Sequence, residues 1–222
     1  MRFITSLHAK RVERQQYCLN TWMKLSTDIV AVQAEHEIEL LTNLFPFVKF
    51  EVGSVSQSFS KPTPKITELV RQASIPSLLI NSDISIKDET LDLWKYEPKV
   101  LKLGIRQDFR PGTSTRMTQK YGIDVFLIYP EMIDQLPDLD FCIGCPGWDF
   151  WLPYHLWAFH DYRITTPPCS FFHELHPLGW TEEDQKSYRS RLQSYGYKLT
   201  PSMLASFILD ITNRHHLKLY KY

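Results

Sequence analysis

The chain has 222 residues, 43% of them apolar, enough to bury one large core and to exclude wholesale disorder. Its 25 Lys and Arg balance 25 Asp and Glu, which disfavours nonspecific nucleic-acid binding and attachment to an acidic membrane. Four cysteines do not make a disulfide scaffold, no stretch approaches the roughly 18 apolar residues of a membrane span, and the opening MRFITSLHAKR has no apolar signal core. The expected setting is reducing and cytoplasmic; oligomeric state stays open.

Residues 2–7 (RFITSL) read as a first strand. From Lys10, Val12, Leu19, Trp22 and Met23 fall at helical offsets and share a face. A strand follows at 28–34 (DIVAVQA), a helix at 35–45, a short strand at 48–52, and a Ser-rich loop at 53–64 that is expected to be mobile. Ile66, Leu69, Val70 and Ala73 mark a third helix. It leads into PSLLINSDISI, where Leu78, Leu79 and Ile80 form an apolar run suited to a strand buried on both faces. This alternation predicts an α/β fold with a mostly parallel sheet flanked by helices.

Further strands are expected at 100–105 and 125–128, with a polar loop between them, and a short one at 141–147. The segment WDFWLPYHLWAFHDY, from Trp148, has helical spacing, with Pro153 in its first turns. Thr181 and Thr200 are N-cap candidates for two final helices. Residues 1–180 thus read as the α/β domain and residues 181–222 as a helical C-terminal extension.

Five groups of residues offer chemistry. The apolar run at Ile80 stops at Asn81, Ser82 and Asp83, and strand carboxyl ends face the ligand crevice of an α/β sheet. A carboxylate and an amide there suit a divalent metal and its phosphates; an ordinary turn also favours these residue types. Asp149 lies between Trp148 and Trp151 at a helix start. It is either a first-turn acid stabilised by the helix dipole or a general base in an aromatic pocket whose indoles suit a sugar ring. In FFHELH, His173 and His176 sit three apart, facing one way if the segment is helical, as metal ligands or as a hydrogen-bonded structural pair. Cys142 and Cys145 have the CxxC spacing, and with Cys169 and His173 they form a candidate zinc site; Cys142 also suits a small core hydrophobe. Thr5, Ser6 and His8 end the first strand, with Lys10, Arg11 and Arg14 beyond, a set able to hold phosphates or merely to line a solvated helix.

Taken in order, TSLHAKRVERQ, LLINSDI, GIRQDF, YGIDVFLI, IGCPGWDFWL and FHELH resemble small bacterial glycosyltransferase-like proteins of the GT-A, Rossmann-related fold. The likeness spans roughly residues 3–180, and its most specific part is the Trp-Asp-x-Trp-Leu segment. The resemblance implies a transferase that uses a nucleotide-diphosphate sugar and an unknown hydroxyl acceptor, with Mn²⁺ or Mg²⁺ clamping the diphosphate. It also implies that Asp83, with His173 or His176, holds the metal. Thr5, Ser6 and Arg11 match the region that holds the nucleotide, His8, Asn81 and Ser82 are candidates beside them, and Asp149 would act as base. Arg106 and Asp108, at the end of another strand, are candidates for donor or acceptor contacts or form a surface ion pair. One departure is that Asn81 stands where the usual motif has its first acid. A non-catalytic nucleotide- or sugar-binding module and a zinc-stabilised interaction domain are the alternatives.

Overall fold

The computed structural model describes residues 1–219 apart from 88–89, 111, 113–115, 169–170, 178 and 198–199. Cys169 of the candidate zinc set lies outside the described residues.

The first half follows the alternation read from the sequence. Strands β1 (Arg2–Thr5), β2 (Ile29–Gln33), β3 (Lys49–Val52) and β4 (Ser77–Ile80) lie parallel in the order β3-β2-β1-β4. Helices α1 (Val12–Met23), α2 (Glu35–Leu44) and α3 (Ile66–Val70) connect them. Every residue of β2 and β4 is buried, as expected of strands covered on both faces.

The second half adds β5 (Ile84–Ile86), β6 (Val100–Phe109), β7 (Arg116–Ile128), α4 (Trp148–His160), β8 (Arg163–Thr165), β9 (Phe171–Glu174), α5 (Glu182–Ser194) and α6 (Pro201–Leu219). The strand order is β3-β2-β1-β4-β7-β6-β9-β5, with β8 paired to β6. β7 runs antiparallel to β4 and β6, and β5 antiparallel to β9. The result is an α/β fold with a mixed central sheet flanked by helices.

Chain length forces that sheet to curl. β4 and β5 are separated in the sheet by β7, β6 and β9, four steps that would span about 19 Å if flat. In sequence, Ile84 follows Ile80 by four residues, whose reach is about 14 Å. The strands therefore close into an arc, with Asn81, Ser82 and Asp83 bridging its ends. A register shift in β6 between Gly104 and Gln107 helps bend it. At Gly104 a Cβ would come within 2.5 Å of the Phe171 ring and 2.7 Å of Val125, so only glycine allows β9 and β7 this close.

Three expectations are corrected. Residues 141–147 are not a strand: Cys142 makes one isolated bridge to Lys65, and Gly144 and Gly147 turn the chain at positive φ. FFHELH is not a helical turn, because Phe171–Glu174 is β9. The Ser-rich loop is tied down. The backbone N–H groups of Gln57 and Ser58 donate to Asp140, and Ser60 donates to Asp184 through its N–H and hydroxyl. The N-cap expected at Thr181 is present and forms a capping box with Asp184, and Tyr188, Leu192, Leu204 and Ile208 of α5 and α6 join the common core. Among the described residues no helix is long and apolar enough to cross a membrane.

Candidate metal centre and its surroundings

The arc gathers three segments distant in sequence. Asp83 ends the β4–β5 link, His173 lies in β9 opposite Ile84, and His176 follows β9. Donor atoms of Asp83, His173 and His176 all fall within 4.8 Å of one another. The His176 Nε2 is 2.9 Å from Asp83 Oδ2 and 3.2 Å from His173 Nε2, which is itself 3.4 Å from the same carboxylate oxygen.

Their outer partners define the chemistry. His173 Nδ1 lies 3.0 Å from Asp108 Oδ1, and His176 Nδ1 lies 2.8 Å from the Pro177 carbonyl. Both partners only accept, so each Nδ1 carries the hydrogen and, in the neutral imidazole, each Nε2 presents a lone pair. Two such nitrogens and a carboxylate oxygen then converge without a donor among them. A shared proton or a cation reconciles them, and backing of imidazole by carboxylate or carbonyl is the usual outer shell of a metal site. The residues fit a divalent metal.

The electrostatics describe the first of those two, the shared proton. Burial alone would raise the Asp83 carboxyl, but hydrogen bonds and charge from His173 and His176 outweigh it and hold it well below the carboxylate range. Burial would lower His173; Asp108 and Asp83 reverse this and raise it to about 9. Register explains the contact: Asp108 of β6 is the direct partner of His173 on parallel β9, so the two side chains share a face.

Around this centre lies an ionic lattice. Arg106 reaches Asp108 at 3.0 Å and Asp124 at 2.7 Å, and Asn81 donates its amide to the other oxygen of Asp124. Asp124, 5% exposed, is pushed up by burial and by Asp83 despite Arg106. Sequence reading missed it, and its signal was a lone carboxylate in the apolar strand IDVFLI. The Asn81 Oδ1 is buried with no partner, so an acceptor stands unused beside the triad.

Asp149 lies beyond this lattice. Gly147, at φ 85, caps α4, and Asp149 is in the helix's first turn. Asp149 is half-buried, and burial together with the Asp124 charge raises its carboxyl well above the ordinary value. Arg106 and Asp124 act electrostatically on both Asp149 and Asp83. The neighbouring indoles do not form a sugar wall. Trp148 and Trp151 are 2% and 1% exposed and pack on Phe126 and Phe141 in the core.

The first loop approaches from the other side. β1 and β4 are parallel neighbours, so residues after Thr5 and after Ile80 emerge at one edge. Thr5 itself is fully buried, with its hydroxyl turned to the Ser6 carbonyl. His8 is exposed and senses the Asp83 charge; burial and the cations Arg11, Lys61 and Lys10 lower it. Buried Gln15, unnoticed in the sequence, clamps this loop by accepting from His8 N–H and donating to the His8 and Lys10 carbonyls. Arg11 takes the left-handed conformation at the N-cap of α1, with its side chain exposed. Ser6 bonds Gln33, and Ser82 is buried.

The zinc set is not assembled among the described residues. His173 is held by Asp108 and faces Asp83, apart from Cys142 and Cys145.

With this geometry in view, the chain was compared with known proteins. No protein-family model and no curated protein matches it. A solved structure described as a glucose-1-phosphate thymidylyltransferase of Bacillus anthracis, in complex with sucrose, is similar at a TM-score of 0.46 and 10% identity. The likeness covers 90% of this chain and 96% of that one. It carries no argument about function.

Proposed function

We propose that this protein is a metal-assisted glycosyltransferase that moves a sugar from a nucleotide-diphosphate donor to a hydroxyl acceptor. The observation that carries the reading is the meeting of Asp83, His173 and His176 with their Nε2 lone pairs facing the carboxylate. That donor set is nitrogen-rich, which favours Mn²⁺ over Mg²⁺, an ion that prefers oxygen ligands and its own waters. When bound, the ion neutralises charge on the leaving diphosphate.

The chain's own residues supply the rest. Asp108 and the Pro177 carbonyl fix the two imidazoles. Arg106 fixes Asp108 and Asp124, and Asn81 holds Asp124 from the β4–β5 link. The cations of the first loop, Lys10 and Arg11, with His8 and Ser6 nearby, hold the nucleotide's phosphates. Asp149 accepts the proton of the incoming hydroxyl, because a carboxylate whose pKa is raised by burial is a stronger base.

The experiment is a thermal-shift panel of UDP, GDP, CMP and dTDP compounds with and without Mn²⁺. A native-state ligand raises the melting temperature by mass action. A shift with one nucleotide that requires the metal supports the transferase and names its donor base. A shift indifferent to metal favours a non-catalytic binding module, and no shift with any compound contradicts the proposal.

A further inference from the structure

Side chains of α1 tie the helix to the β4–β5 link and to β5. Trp22 Nε1 donates to the Ile84 carbonyl at 2.8 Å, and the Thr21 hydroxyl accepts from the Ile86 N–H at 3.0 Å. Arg14 Nη2 donates to the Asp83 carbonyl at 3.3 Å. Residue 14 lies two helical turns before residues 21 and 22, so the three share one face of α1.

Arg14 reaches further than this face. Its Nη1 lies 3.4 Å from Glu174 Oε2 at the end of β9. Its guanidinium carbon lies 5.3 Å from the Tyr17 ring centroid and 5.4 Å from that of Phe109. Only 14% of the side chain is exposed, and its Nε is buried without a partner. A cation held this way does not belong to a solvated helix face.

What it touches is the frame of the metal centre. Asp83 turns its carboxylate to the imidazoles and its carbonyl to Arg14. Glu174 stands between His173 and His176 in the chain, and Phe109 follows Asp108, which backs His173. The Phe109 carbonyl also accepts from the Leu175 N–H at 2.9 Å, one residue before His176. One guanidinium thus bears on the link that carries Asp83, on β9 and on the end of β6. Glu174 offsets its charge, so it does not simply oppose a bound cation.

We propose that Arg14 is a positioning residue of this centre: by holding the Asp83 carbonyl and Glu174 together, it keeps the Asp83 carboxylate on the Nε2 atoms of His173 and His176. Its consequence for Mn²⁺ rests on the metal reading above; the arrangement of carboxylate and imidazoles exists without the ion. A planar guanidinium offers donors in a fixed fork and bridges two acceptors at once, which a single ammonium does less well.

The test compares two variants of the full chain. Arg14→Met keeps an apolar stem beside Tyr17 and Phe109 but removes both donors. Thr21→Val removes a tie of the same helix to β5, away from the centre. Each is read by the ring-nitrogen NMR shifts of His173 and His176 without metal, and by Mn²⁺ affinity in calorimetry. Arg14→Met should move the Nε2 signals and weaken Mn²⁺ binding by about tenfold or more, the scale of an outer-shell loss. Thr21→Val should keep both at wild-type values even where stability falls. Arg14→Lys should lose less than Arg14→Met, and it is read in its place if the Met variant does not fold. The proposal is overturned if the folded Arg14 variants keep the wild-type Nε2 signals, or if Thr21→Val moves them as far, which would make Arg14 one structural tie among others. Failure of wild type to bind Mn²⁺ would instead refute the metal reading, and the metal-free signals would still decide the role of Arg14.

Discussion

Asp108 Oδ1 lies 3.0 Å from His173 Nδ1, and both side chains are almost fully buried. The contact decides which imidazole nitrogen faces Asp83. Replacing the carboxylate in Asp108→Asn keeps the shape but weakens the hold on Nδ1–H. Outer-shell changes of this kind cost roughly 10–100-fold in metal affinity. We expect Mn²⁺ affinity to fall by that order in a calorimetric titration, with circular dichroism unchanged. An unchanged affinity would show that the imidazole is oriented by packing alone.

On the proposed function, Asp149 ties activity to stability. Its folded pKa is raised by burial and by Asp124, so folding favours its protonated form. The resulting penalty is absent below the ordinary value of 3.8 and grows as pH rises through the raised value. Asp149→Asn should therefore raise the melting temperature at neutral pH, by a gain on the order of 1 kcal/mol. The gain should vanish near pH 3, and sugar transfer should be lost while donor binding survives. Wild-type transfer by this variant would exclude Asp149 as the base.

Asn81 is better matched to its surroundings than an aspartate would be. Its amide donates to Asp124, whose carboxyl is already pushed up. Asn81→Asp puts two carboxylates in contact and should cost about 1–3 kcal/mol at pH 7. Acid should relieve the loss, because protonating one member restores a donor. Urea unfolding at pH 7 and pH 5 reads this directly. Unchanged stability with tighter Mn²⁺ binding would instead make residue 81 a metal ligand.

Gly147 is constrained twice. At φ 85 it sits where side chains are rarely found, and a Cβ would lie 2.0 Å from the Tyr188 ring. Gly147→Ala should destabilise by more than about 2 kcal/mol in urea unfolding. Adding Tyr188→Ala should remove the clash but not the backbone strain, so the double variant loses less than the two single losses together. Strict additivity would mean that ring and glycine do not meet.

The alternation of strands and helices through Ile80 was legible because apolar periodicity is local. The curl was not, because it follows from β5 pairing with β9 across the sheet, a contact no short window contains. His173 and His176 were recognised as a pair for a helical reason that does not hold. They converge because β9 ends at Glu174 and the chain turns back toward Asp83. The tryptophans beside Asp149 looked like a pocket wall because an indole suits a core and a sugar equally well. Asp124 was passed over because nothing near it in sequence reveals Arg106 and Asn81 as its partners.

The claim that Asp83, His173 and His176 hold a catalytic cation is tested most directly by electron paramagnetic resonance of Mn²⁺. The free-ion signal is followed as wild-type protein and then a nucleoside diphosphate are added, and the series is repeated with Asp83→Ala. The account predicts that wild type removes the free-ion signal at one ion per chain, that the diphosphate alters the bound spectrum, and that Asp83→Ala does neither. Equal binding by both proteins, or none by wild type, would contradict it.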